Sequence, residues 1–179
     1  MPDQVEQIVL GLSDLRAVTR FAAESADEVL DAFETACPGD PRPREAIAAA
    51  WTFASGGARG KPLRDAGWAA HRAARAAGAG AAGEAARAAM HAASAAYLHP
   101  LADAHQVKHV LGSAAHAARA AELTAGDDRS VGDEHIERAR RRATPAVVDV
   151  LLRYPVAPPG GGRVGELLRS LDRALRALV

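Results

Sequence analysis

The sequence predicts an all-α protein, a single compact bundle of seven or eight alanine-rich helices, and three observations carry that prediction. Alanine dominates the composition while aromatic residues make up only 4%; alanine has the best helix propensity and the smallest apolar side chain. Apolar residues recur at helical spacing, and no segment alternates with period two for long enough to make a sheet. Proline and glycine, often beside a capping Ser, Thr or Asp, punctuate the chain at intervals of helical length. Helices of this kind approach closely, but each buries little area, so many contacts must add up.

Residues 2–11 read as a short arm in which Val5, Ile8, Val9 and Leu10 are apolar enough to pack. Ser13 is the expected N-cap of a long first helix carrying Leu15, Val18, Phe21, Ala22, Ser25, Val29, Ala32 and Phe33 at helical spacing. The run CPGDPRP from Cys37 ends it, because proline and glycine do not continue a helix. Asp40 then caps a second helix over about 43–55, with Ile47, Ala50, Trp51 and Ala54 inward. A loop by composition, SGGARGK, leads to Pro62 and a third helix over about 62–77 with Leu63, Ala66, Ala70, Ala73 and Ala77 inward. After the break at Gly78 and Gly80 comes a fourth helix, 81–98, stopped or kinked by Pro100. A helix running from there to about Leu123 is followed by a short charged one over 133–142. Thr144 caps another, to about Arg153, with Pro145 in its first turn. Past the irregular PVAPPGGG stretch, a last helix over 164–178 puts Val164, Leu167, Leu168, Leu171, Leu175 and Leu178 on one face. That face docks on the body or on a second copy, which makes a homodimer one expectation. The chain thus reads as one domain, 1–179, with a core over 12–123 and C-terminal helices at 133–153 and 164–178.

Composition narrows the function classes. Lys and Arg (22) balance Asp and Glu (22), so no nucleic-acid partner or anionic membrane is expected. Cys37 is the one cysteine, so no internal disulfide and no Cys-x-x-Cys knuckle is expected. The segment MPDQVEQIVLGLSDLR has neither a basic start nor a long apolar run, and no apolar stretch approaches the roughly 18 residues of a membrane span. A cytoplasmic protein is the expectation.

The stretch Tyr97–His116, YLHPLADAHQVKHVLGSAAH, holds four of the seven histidines. If it is helical after Pro100, His105, His109, Gly112 and His116 fall on one stripe. The glycine within that stripe removes bulk where a helix or a ligand comes close.

Four runs carry a resemblance to a known family: DLRAVTRFAAESADEVLDAFE, PGDPRPREAIAAAW, AGWAAHRAAR and AASAAYLHPLADAHQVKHVLGSAAHAARAAEL. Over about Leu12–Leu123, and more weakly over Ile136–Tyr154, the chain resembles bacterial helical immunity proteins of the Imm-5-like kind. The resemblance implies a small helical fold and protection against a protein toxin. It implies no catalytic residues.

The residues themselves also support a different expectation, a small cofactor-free bacterial enzyme with a histidine-lined cavity between helices. Imidazoles near neutrality donate and accept protons, which suits dehydration, conjugate addition or cyclisation of a small molecule, as in secondary-metabolite biosynthesis. The catalytic candidates are His105, His109, His99, His71, Glu24 and Asp103. Trp51, Trp68, Tyr97, Arg20, Lys61, Arg64 and His116 are the substrate-binding candidates. Each has a plainer reading. His105, His109 and His116 serve as hydrogen-bonded interior groups, His71 as a core histidine, His99 and Asp103 as helix caps, and Glu24 as a partner of Arg20 one turn earlier. Lys61 and Arg64 read as solvated cations, and the two tryptophans as core or pocket wall. A third reading is a metal site, since His105 and His109 at i, i+4 can share one ion if a further ligand joins them. No phosphate loop, Rossmann fingerprint, Gly-x-Ser-x-Gly elbow or His-Glu-x-x-His motif is present in the sequence. The two main expectations are therefore a proton-transfer enzyme acting on a small molecule and a non-catalytic binder of a toxin.

Overall fold

Nine α-helices and two short 3-10 turns organise residues 6–179, which a computed structural model describes. In order, the helices are α1 (Leu12–Asp27), α2 (Leu30–Ala36), α3 (Arg42–Ala54), α4 (Lys61–Ala77) and α5 (Ala81–Ser94). They continue with α6 (Val107–Thr124), α7 (Arg129–Arg142), α8 (Pro145–Leu152) and α9 (Gly162–Arg176). The 3-10 turns are Ala95–Tyr97 and Ala104–Gln106. The described residues contain no strand beyond an isolated bridge between Gln7 and Leu101.

The extra helix arises because the expected first helix is two. Val29 leaves helical geometry (φ −125°, ψ 5°) although no proline or glycine is near. The break keeps Val29, Leu30 and Phe33 all buried while Glu28 meets Arg142 and His135 of α7. The start of α1 also differs: Gly11 is the N-cap, and its N–H donates to Asp14 Oδ2 at 2.9 Å. Ser13 lies inside the first turn. Of the arm, Val5 lies outside the described residues. Ile8 N–H donates to the Pro100 carbonyl (2.9 Å) and Ala102 N–H to the Glu6 carbonyl (3.0 Å), so the arm pairs with the segment after α5.

Helix α5 is the hub, packed on α1, α2, α3, α4 and α6. Its Ala85, Ala86, Ala88, Ala89, Ala92 and Ala93 are all buried, so several sides of α5 present only methyl groups. Small side chains let five neighbours reach one axis. Phe21, Phe33, Phe53 and Leu111 supply the bulk that alanine lacks.

Helix α9 docks within the chain, on α6, α7 and α8. Leu167, Leu171 and Leu175 are buried there, whereas Leu178 is exposed. Charged groups fasten it at both ends. Glu122 of α6, fully buried, accepts from Arg163 Nη2 (2.5 Å) and from Arg119 Nη1 (2.7 Å). Asp172 accepts from the Ala157 N–H (3.0 Å) and from Arg176 Nε (2.8 Å). Gly132 of α7 is required by this arrangement, since a Cβ there would lie 2.0 Å from Glu122 Oε1. No described helix is long and apolar enough to cross a membrane.

Candidate functional site

Helix α6 starts at Val107 rather than just after Pro100. The preceding residues form an extended segment and then a 3-10 turn, which Asp103 caps by accepting the His105 N–H at 2.8 Å. His105 is exposed in that turn, so the expected stripe of four reduces to His109, Gly112 and His116.

These three face α5, and the imidazole that meets them is His91. A Cβ on Gly112 would lie 2.8 Å from His91 Nδ1, so the glycine makes room for this ring. His91 stacks on His116 with centroids 4.9 Å apart and planes 17° from parallel. His116 Nδ1 in turn lies 2.5 Å from Glu84 Oε2, and Glu84 also receives Arg87 Nη1 at 3.1 Å. Burial opposes ionisation of Glu84, but the hydrogen bond from His116 and the nearby positive charges outweigh it and hold its carboxyl below the usual range.

Two imidazoles of this seam are kept neutral. Burial pushes His91 well below the ordinary histidine value, and the positive charge of nearby Lys108 adds to the shift. Burial also lowers His109, helped by Lys108 and partly opposed by the Ser94 backbone. The Nδ1 atoms of both rings are buried without a hydrogen-bond partner, which is uncommon for interior polar atoms.

Two cavities flank the seam where one was expected. The first, between α4, α5 and α6, has a volume of about 660 Å3 and is lined by Leu63, Arg64, Gly67, Trp68, His71, Met90, His91, Ala93, Ser94, Tyr97, Lys108 and His109. The second, about 460 Å3, lies between the α5–α6 pair and the loop leading into α9. His91 and Lys108 line both.

The sequence candidates are divided among these places. His71, His109, Trp68, Tyr97 and Arg64 meet at the first cavity; His105 and His116 line the second. Trp68 is 59% exposed, and its ring meets the edge of His71 at 5.8 Å. Tyr97 donates to the Gly60 carbonyl (2.8 Å), with the Arg64 guanidinium 5.4 Å from its ring centroid. The others stand elsewhere. His99 is exposed; its N–H donates to Gln106 Oε1 (2.9 Å) and its carbonyl accepts from Tyr154 (2.8 Å). Glu24 faces Arg142 of α7 at 3.3 Å, not Arg20. Arg20 instead lies over the Trp51 ring at 5.3 Å, and Trp51 Nε1 donates to Asp27 at 2.7 Å. Lys61 pairs with Asp65 at 2.5 Å. Since His105 and His109 line different cavities, they do not form the pair that a shared ion needs. Among the described residues no three His, Cys, Asp or Glu side chains gather around a metal position.

Met90, His91, Ser94, Gly67 and Lys108 line the first cavity and are absent from the sequence candidates. A signal existed for some of them. Met90, Ala93, Ser94 and Tyr97 stand at i, i+3, i+4 and i+7 on one face of α5, its last turn included, and Leu63, Gly67 and His71 at i, i+4 and i+8 on α4. Chemically, the first cavity offers neutral imidazoles, two cations and apolar walls, with no carboxylate in its lining. It is equipped to hold a group more evidently than to pass a proton between an acid and a base.

The family model described as Imm-5 like putative immunity protein matches residues 9–145 of the 179. This span takes in α1 to α7 and the histidine seam, and ends at the first residue of α8. No curated protein and no solved structure matches the chain.

Proposed function

Because this chain belongs to the Imm-5-like immunity protein family, we propose that it neutralises a protein toxin by holding it, without chemistry of its own. The observation that carries this reading is the family match across the helical core, residues 9–145. The scatter of the catalytic candidates supports it: His99, His105, Glu24 and Asp103 each lie away from the cavity that holds His71 and His109. A contact face is available around the pairing of Arg153 with Asp14. Arg153 also bonds the Val9 carbonyl, and Val9 (85%), Leu12 (54%) and Leu152 (41%) are exposed near it. Exposed apolar groups around a polar centre suit a protein partner.

An acid–base enzyme is the second reading, favoured by the cavity beside His71 and His109. It asks for a proton donor and an acceptor facing one substrate, and the lack of a lining carboxylate tells against it.

Co-expression with a panel of bacterial toxin domains tests the first reading. Protection of the cells, and a stoichiometric complex on gel filtration that weakens for Leu12→Asp with Leu152→Asp, are the expected results. No complex and no protection would overturn it.

A further inference from the structure

We propose that the cavity between α4, α5 and α6 is a binding site for a small free aromatic carboxylate. Its volume, about 660 Å3, falls within the roughly 300–1,000 Å3 of small-molecule sites. The walls suit a flat apolar body. Leu63, Met90 and Ala93 give an aliphatic surface, while Trp68 and Tyr97 contribute rings. At Gly67 a Cβ would come within 3.3 Å of the Ala93 methyl, so α4 and α5 nearly touch there and leave a slot rather than a wide bowl.

Charge sets the rest of the ligand. Arg64 and Lys108 both line the cavity, and neither forms an ion pair among the described residues. Neighbouring cations do find acids: Lys61 takes Asp65, and Arg87 takes Glu84. With two unmatched cations and no carboxylate in the lining, the complementary group is an anion. The half-buried imidazole of His109, whose buried Nδ1 has no partner, lines the same space and offers a neutral hydrogen-bonding group. A cation is disfavoured here twice, by Arg64 and by Lys108. This site goes beyond the immunity reading and stands independently of it.

The test uses the full chain with Trp51→Phe, which leaves Trp68 at the cavity rim as the sole indole. The probes are 2-naphthoate, its neutral relative 2-naphthalenemethanol, and the cation 2-naphthylmethylamine. The expected result is a saturable change in Trp68 emission with naphthoate, at least about tenfold tighter than with the alcohol, and none with the amine. Arg64→Gln with Lys108→Gln, both at exposed positions, should erase the preference for the acid while leaving alcohol binding and helix content unchanged. No saturable response to naphthoate, equal affinity for acid and alcohol, or a preference that survives the double substitution would each overturn the site. Because no toxin is present, failure here leaves the immunity reading untouched.

Discussion

The two halves of α6 bury polar groups in opposite ways. In its second half Glu122 is fully buried but saturated by Arg119 and Arg163, and Arg163 also reaches Asp133 and Glu166. In its first half the ring of His109 and the facing ring of His91 bury nitrogen atoms that nothing satisfies. A saturated network ties helices together, here α6 to α7 and α9. An unsaturated one costs stability without an evident structural return, which is how binding sites differ from scaffolding. On this comparison the C-terminal half of α6 is a fastening, and the N-terminal half lines the site proposed above.

Substitutions can break the comparison at either end. The largest effect is expected from Glu122→Ala. It should cost roughly 3 kcal/mol, the low end for a buried pair, because Arg163 keeps two other acids. Chemical denaturation measures it, and adding Arg163→Met should recover part of the loss. Gly112→Ala comes next, since its methyl would press on the His91 ring. The expected loss is about 1–3 kcal/mol, and His91→Ala in the same chain should relieve it.

Acid sharpens the contrast. His91 and His109 lie below their ordinary value in the folded chain, so below about pH 6.5 the unfolded chain binds more protons. Stability should therefore fall as pH drops from about 7 towards 5, by up to about 1.4 kcal/mol per pH unit for each ring. The carboxylates held low by their partners, Glu84, Glu28 and Asp14, act in a separate window. Their contribution is present above about pH 4.5 and is lost as pH falls through their lowered values. Melting curves at closely spaced pH values separate the two steps. The smallest effect should come from Lys61→Ala, whose exposed pair with Asp65 contributes less than about 0.5 kcal/mol.

Much of the fold was legible because its signals are local. Proline and glycine marked most boundaries, Thr144 caps α8 and accepts the Val147 N–H at 3.4 Å, and the leucines of α9 share one face. Gly112 was legible as a point of close approach, but not which ring approached it, because His91 belongs to another helix. The split at Val29 had no local cause to read; its explanation is the tertiary meeting of Glu28 with α7. The position of His105 escaped for the same reason, since the segment after Pro100 is held extended by residues 6–8 at the far end of the described chain. Glu24 found Arg142 rather than Arg20 because folding laid α7 beside α1. Helical periodicity places side chains on a face, and only packing chooses what that face meets.

The most direct measurement is long-range 1H–15N NMR of the seven imidazoles between about pH 8 and pH 6. His91 and His109 should hold one neutral tautomer across that range, with Nδ1 atoms that carry no strong hydrogen bond. Titration of either ring at the ordinary histidine value near 6.5 would contradict the unsaturated seam on which the comparison rests.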